Sequence, residues 1–334
     1  MSKKVRVGIL GCGGMAGAHA MRFKANPDVQ IVALCDVTEE QVNKFIERHL
    51  KDYPSKLTIY TDPAKMYKES KLDAVSIVTP HTLHFEQGAQ AMDAGCHVLM
   101  EKPMVTDSAH AHTLAKKVKE TGKIFMIAYN TPCSPEFHYL REAIRNKTFG
   151  KLEMVVGYLS QDWMRGTKGL WRQVPKLSGG GQAYDSGAHL LNSLCWSVEA
   201  DIAEVYAFVD NHGTPVDINS SINVKFANGV MAAIGVSGNS PGGGSYMVFI
   251  FDEGRVEIDG WGAGWMNVFD KTGGKVKYPI VPGKAQSPND NFIDAILGRA
   301  EQRTTVQNGI VQSELMDAIY ESARTGKPAR PKKR

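Results

Sequence analysis

The sequence predicts an α/β chain in two parts: an N-terminal doubly wound parallel sheet, and a C-terminal α+β domain with a large, open-faced, mainly antiparallel sheet. Three observations carry this expectation. Short apolar runs alternate with helical patterns as far as about residue 130. A glycine turn joins the first of these runs to the first helical pattern. After Gly150 the pattern changes to longer strands separated by turns. The boundaries read from this are 1–130 for the first domain and 131–334 for the second.

Val5 to Leu10 is apolar and β-branched and reads as the first strand; Gln30 to Cys35 is the second. Asp62-Pro63 opens a helix, pairing an N-cap acceptor with the residue best suited to the first helical position. Asp73 to Thr79 is a buried strand stopped by Pro80. The following helix, from about Thr82 to Ala94, ends on Gly95, a natural left-handed cap. His97 to Met100 is a strand, Asp107 to Thr121 a helix and Lys123 to Ala128 a strand. In the second part Ile222, Val224 and Phe226 alternate with polar residues before the hairpin turn Asn228-Gly229. Asp252-Glu253-Gly254 and Thr272-Gly273-Gly274 mark further reversals. Val205 to Val209 and Tyr246 to Phe251 are apolar at odd and even positions alike, so both faces need cover; helices of the chain supply one and a second subunit is expected to supply the other. Lys176 to Gly181 and Gly238 to Gly244 are glycine-rich and expected to be mobile loops.

Lys and Arg total 39 against 35 Asp and Glu, so the net charge of +4 offers no electrostatic case for nucleic acid. The basic end, Arg330-Pro331-Lys332-Lys333-Arg334, reads as a solvated tail. Five cysteines without a CxxC pair read as reduced thiols, and neither a membrane span nor room for a cleavable signal is seen, so a cytoplasmic location is expected.

The turn itself is Gly11-Cys12-Gly13-Gly14-Met15-Ala16, and the second strand ends in Asp36. Gly11 permits the tight turn, Gly13 lets the backbone approach a pyrophosphate, and Ala16 allows close packing of helix on sheet; Gly14 and Met15 complete the contact surface. The helix start offers unpaired N–H groups and a positive dipole end to phosphate. Asp36, about 20 residues beyond the turn, suits a ribose 2′-hydroxyl and repels a 2′-phosphate. No adjacent Arg offsets that charge, so NAD is expected rather than NADP. Together these features describe a Rossmann domain.

In such sheets ligands sit beyond the carboxyl ends of the strands. Thr79, Pro80 and His81, with His84, follow one strand; Glu101 and Lys102 follow the next, and all are candidate cofactor contacts. An ammonium at Lys102 would also stabilise an alkoxide forming as hydride departs. If Ala183 to Trp196 is helical, Asp185, His189 and Asn192 share one stripe, entered through Gly179-Gly180-Gly181. His189 is the natural general base and Asp185 its orienter or a substrate holder. Asp and His at this spacing also suit a metal, but no third ligand appears and no metal site is expected. Asn130, Trp163 and Arg165 are further candidate substrate contacts, whereas His49, His110 and His112 are expected at the surface.

These residues resemble the Gfo/Idh/MocA family of glucose-fructose oxidoreductases, inositol dehydrogenases and relatives. The resemblance rests on the glycine turn with His19, on Thr79-Pro80 with His84, on Glu101-Lys102-Pro103, and on Gly179-Gly180-Gly181 with Asp185 and His189. It implies that Lys102 binds substrate and acts in catalysis, that Asp185 is a substrate-pocket acid, that His189 is the acid/base, and that Trp171-Arg172 reaches back to the cofactor. It also implies a homodimer or homotetramer built on the C-terminal sheet. His81 stands where the family commonly has Asn, and Asn192 where it often has Asp. The expected activity is NAD-dependent oxidation of a sugar, glycoside or cyclitol. Glycoside cleavage by transient C3 oxidation and a non-catalytic nucleotide- or sugar-sensing role are the alternatives.

Overall fold

The computed structural model describes residues 4–277 and 286–332. Its first sheet is built from β1 (Val5–Leu10), β2 (Val29–Cys35), β3 (Thr58–Tyr60), β4 (Ala74–Ile77), β5 (His97–Met100) and β6 (Phe125–Ile127). Every pairing is parallel and the order is β3-β2-β1-β4-β5-β6. Interior parallel strands are covered on both faces, which is why β4 is buried at all four positions and reads as an unbroken apolar run. The order reverses between β1 and β4, placing a crevice beyond their carboxyl ends. Between the strands lie α1 (Gly14–Ala25), α2 (Glu39–Phe45), α3 (Pro63–Ser70), α4 (His84–Asp93) and α5 (Ser108–Thr121). Asp62 caps α3 by accepting from the Ala64 N–H, and Gly95 takes φ +82° just after α4, both as the sequence indicates.

The second sheet has eight strands: β7 (Leu152–Ser160), β8 (Ile202–Asp210), β9 (Asn219–Phe226), β10 (Met231–Ser237), β11 (Gly244–Phe251), β12 (Gly254–Ile258), β13 (Met266–Phe269) and β14 (Lys275–Val276). Its order is β14-β13-β12-β11-β7-β10-β9-β8, antiparallel except for the parallel pair β7 and β10. The three turns named from sequence join β9 to β10, β11 to β12 and β13 to β14. Around this sheet run α6 (Pro135–Arg145), α7 (Trp163–Gly166), α8 (Pro175–Ser178), α9 (Gly187–Val198) and α11 (Val306–Thr325), with α10 (Pro288–Ile296) lying between α9 and α11 in the chain. Leu190 and Leu194 of α9 and Leu315 and Ile319 of α11 pack with Val155, Leu159 and Phe249 in one core. The opposite face keeps Tyr158 52 %, Phe208 62 % and Met231 52 % exposed, so the described residues leave that side of the sheet partly uncovered.

The chain divides into two compact units, but not by a single cut near residue 130: the first holds Met1–Val105, His110–Ala128 and Gln286–Gln307, the second Thr106–Ala109, Tyr129–Ala285 and Asn308–Arg334. α10 belongs with the first unit because Phe292 and Ile293 complete the core around Phe23 and Val29. Local patterning marks α10 as amphipathic and says nothing of which core receives it. The final residues of the basic tail, Lys333 and Arg334, lie outside the described residues. No helix among the described residues is long and apolar enough to cross a membrane.

α9 ends at Glu199, in the left-handed region at φ +51°, and its carboxylate accepts from Arg141 and Arg145 of α6. Burial favours the neutral acid, but the two guanidinium groups outweigh it and hold the carboxyl down at about 2 from an ordinary 4.5. A depressed folded-state pKa contributes stability that is fully present above about pH 4.5 and lost as pH falls towards 2. Glu199→Gln should therefore lower the denaturant midpoint at neutral pH and flatten its decline on acidification, a difference read by unfolding titrations across that range.

Candidate active site

In the first unit the glycine turn is dictated by sterics. Gly11 sits at φ +92°, and a Cβ there would stand 2.5 Å from the Val78 carbonyl oxygen, so no other residue fits. At Gly13 and Gly14, by contrast, a Cβ would meet nothing within 4 Å: the outer side of the turn is open and its backbone approachable. Ala16 is fully buried, and the first turn of α1 carries no acidic side chain to oppose an anion. Met15 is 43 % exposed beside the turn. Asp36 Oδ2 accepts from the Cys12 N–H at 2.6 Å and Oδ1 from the Val37 N–H at 2.6 Å, which anchors the carboxylate at the end of β2 while leaving lone pairs for ribose hydroxyls. This turn, helix start and carboxylate fit NAD. Burial and the nearby Asp36 charge push the Cys12 thiol up, and the same causes take Cys35 up to about 12, so both stay neutral.

Past β4 and β5 two buried imidazoles tie the strand-end turns together. His84 lies between the Pro103 carbonyl (Nδ1, 2.8 Å) and the Thr79 carbonyl (Nε2, 2.9 Å). Burial holds its pKa below the ordinary value, and a neutral ring has one N–H to donate to one of the two. His81 is buried edge-on to it, and the Thr79 hydroxyl donates to Gln87 Oε1 at 2.5 Å. His19 of α1 donates from Nε2 to Glu101 Oε1 at 2.9 Å, leaving Nδ1 to accept from the Ser76 hydroxyl at 2.9 Å. Glu101 Oε2 in turn accepts from the Lys102 N–H at 3.1 Å. Glu101, His84 and His19 are thus braces for the backbone that carries Lys102, whose bond to Pro103 is cis.

In the second unit the expectation of a helix from Ala183 is corrected: α9 begins at Gly187, and Asp185 lies in the turn before it rather than on a stripe with His189. The turn is forced by a clamp the sequence did not reveal. Buried Asp217 accepts from the Gly181 N–H (2.6 Å) and the Tyr320 hydroxyl (2.6 Å) on Oδ1 and from the Ala183 N–H (2.8 Å) on Oδ2, while its carbonyl takes the Gln182 N–H at 2.9 Å. The glycine segment expected to be mobile is therefore pinned at Gly181. Asp185, 5 % exposed, accepts on Oδ2 from the Trp163 indole N–H at 2.8 Å and from Arg172 Nε at 2.9 Å. Trp163, Arg172 and Asp185 form one cluster, with the Arg172 guanidinium also 4.6 Å from the Trp171 ring centroid.

α9 buries every residue except His189, which is half-buried. Its imidazole stacks on Trp261 (centroids 5.3 Å apart, planes 25° apart) and meets the edge of Tyr129 at 5.8 Å and 89°. Neither ring is foreseeable from spacing: Trp261 lies in the loop between β12 and β13, and Tyr129 beyond β6. Asn192 is 1 % exposed and its amide nitrogen has no hydrogen-bond partner among the described residues. Asn130 is exposed, and Arg165 is exposed beside Asp162 at 3.5 Å. His49, His110 and His112 are all half-buried, not superficial, with His110 stacked on Phe85 at 3.9 Å. Among the described residues no three His, Cys, Asp or Glu are grouped to hold a metal ion.

Against known proteins, the model described as "Oxidoreductase family, NAD-binding Rossmann fold" matches residues 5–129 and that of the GFO/IDH/MocA C-terminal domain matches residues 137–258. D-glucoside 3-dehydrogenase of Escherichia coli is 27 % identical over 193 residues, 58 % of this chain and 53 % of that protein, so the chain spans about half of that relative. Myo-inositol 2-dehydrogenase of Thermotoga maritima is 26 % identical over 266 residues, 77 % of this chain and 73 % of its own length. A solved levoglucosan dehydrogenase in complex with NADH and levoglucosan shares the fold with a TM-score of 0.87 at 19 % identity, over 99 % of this chain and 100 % of that one.

Proposed function

Because the chain belongs to the Gfo/Idh/MocA family of NAD-binding oxidoreductases, we propose that it oxidises a secondary alcohol of a sugar, glycoside or cyclitol, or reduces the matching ketone. The observation that carries this reading is a buried carboxylate, Asp185, held by two donors just ahead of a helix whose one side chain that is not buried is an imidazole. Gly11, Gly13, Gly14 and Asp36 would hold NAD, which when bound would supply the hydride acceptor. In this reading His189 takes the hydroxyl proton, Lys102 supports the developing alkoxide with its ammonium, and Asp185 orients the substrate through a neighbouring hydroxyl. The Arg172 guanidinium and the Trp163 indole fix the Asp185 carboxylate in place, suited to that holding role. The names of the relatives, a glucoside dehydrogenase and an inositol dehydrogenase, support the substrate class.

The test is a panel of hexoses, inositols, amino sugars and aryl glycosides with NAD, following NADH absorbance and aglycone release in parallel. NADH accumulation with at least one polyol supports the reading. Aglycone release without net NADH replaces it with redox-neutral glycoside cleavage, and no turnover on any member counts against it.

The reading extends to a cytoplasmic homo-oligomer in which the uncovered sheet face packs against a second copy. Phe208, 62 % exposed, and Tyr158, 52 % exposed, are the apolar side chains such a contact would bury. Phe208→Glu should then shift the mass measured by light scattering down to that of one chain; a parental protein that already runs as a monomer removes this part of the proposal.

A further inference from the structure

Two aromatic rings lie on the imidazole of His189, and both are tied to α9 by one hydroxyl. A serine carries a single proton. Ser193 Oγ, fully buried, donates it to the Gly260 carbonyl at 2.7 Å, so the Thr131 hydroxyl 2.8 Å away is the donor to Ser193. The relay runs from the Tyr129-Asn130-Thr131 segment through α9 into the loop that carries Trp261. That loop is braced at its other side. Asp259 Oδ1 accepts from the Ser245 hydroxyl at 2.5 Å and from the Trp261 and Gly262 N–H groups at 3.0 and 3.2 Å. Gly260 also presses directly on α9: a Cβ there would stand 2.4 Å from Leu190 Cδ1. Two loops distant in sequence are in this way set against one helix at the position of its one side chain that is not buried.

We propose that Trp261 and Tyr129, held by Ser193, are positioning residues that clamp the plane of the His189 imidazole. The physical need is plain. The terminal torsion of histidine is broad and two-fold, so a half-exposed imidazole swings unless its faces are packed. A proton acceptor that swings is out of reach of its proton for part of the time. Trp261 covers one face in a near-parallel stack and Tyr129 closes the ring from the side at right angles. The proposal rests on the reading of His189 as proton acceptor, and its test separates the two.

The full chain is compared with His189→Gln, Trp261→Ala, Trp261→Phe and Ser193→Ala, by steady-state kinetics on the best panel substrate and by proton NMR of the His189 ring without cofactor. Trp261→Ala should lower kcat by about 10- to 100-fold with KM within about 3-fold, and Trp261→Phe should restore most of it, because misplacement of a reacting group acts on the chemical step. Ser193→Ala should lower kcat in the same direction by a smaller factor, and it carries the test should Trp261→Ala not fold. In the spectrum, the His189 Cε1 proton of the parental protein should be shielded by the indole and move downfield in Trp261→Ala. Parental kcat in Trp261→Ala alongside a His189→Gln enzyme that has lost turnover overturns the proposal, as does a His189 resonance that Trp261→Ala leaves in place. If His189→Gln itself keeps parental turnover, the acid–base reading fails, and the ring shift alone decides whether the clamp exists.

Discussion

Replacing His189 with Ala should lower kcat by about 10²- to 10⁴-fold, the range that a positioned acid or base contributes, while NAD binds with unchanged affinity. The separation is expected because His189 belongs to the second unit, and the residues that fit NAD, Gly11, Gly13, Gly14 and Asp36, all belong to the first. Lys102→Ala should act on the same step through a different atom. Its ammonium is assigned to the alkoxide oxygen, a charge present only as the reaction proceeds, so the loss should fall on kcat by a similar factor of about 10² or more rather than on KM alone. Lys102 is also braced through its backbone by Glu101, which His19 holds in place. Glu101→Ala should therefore imitate a milder Lys102 variant. Turnover within about 10-fold of the parental enzyme in both His189→Ala and Lys102→Ala would remove the assigned roles, and titration of NAD by quenching of intrinsic fluorescence provides the control.

Gly181→Ala should be the most damaging small substitution in the second unit. A Cβ at this position would lie 1.9 Å from the Asp217 carbonyl oxygen and 2.7 Å from its amide nitrogen, both backbone atoms that cannot rotate away. Relief requires moving Asp217, whose carboxylate holds the Gly181 and Ala183 N–H groups and the Tyr320 hydroxyl. Those donors would be left buried without an acceptor. Overpacking and lost hydrogen bonds together should cost about 3 kcal/mol or more of unfolding free energy. Gly180→Ala offers the contrast: its Cβ would meet the Tyr320 hydroxyl at 2.3 Å and the Tyr184 side chain at 2.9 Å, groups able to yield, so a smaller loss is expected. Denaturant unfolding of the two variants ranks them, and equal stability would show that the clamp is looser than its distances imply. Because Asp185 follows within the same turn, Gly181→Ala should also raise KM for a substrate that Asp185 holds.

The first unit was largely legible in the sequence because its signals are local. A tight turn needs Gly11, a helix start needs Asp62-Pro63, and a strand buried on both faces must be apolar throughout, so the order of elements and the cofactor turn follow from neighbours along the chain. Asp36 was legible for the same reason, at a set spacing beyond the turn. The second unit was legible as an architecture, through alternation in β9 and the turns at Asn228-Gly229 and Asp252-Glu253-Gly254, but less so as a site. The helical stripe joining Asp185 to His189 fails because Asp217 draws the Gly181 and Ala183 amides onto its carboxylate and forces a turn there. Asp217 is far along the chain, and no periodicity announces that pairing.

What the sequence determined by itself, then, is the alternation of strand and helix, the open glycine turn with its acid, and the identity of Lys102, Asp185 and His189 as candidates. The tertiary structure alone decided that α10 returns to the first core, that the glycine segment is pinned, that Arg172 and Trp163 converge on Asp185, and that Trp261 and Tyr129 enclose His189. The division has a physical cause. Backbone conformation is governed by steric and hydrogen-bonding preferences over a few residues, whereas the partner of a buried polar or aromatic side chain is selected by packing among segments that only the completed fold brings side by side.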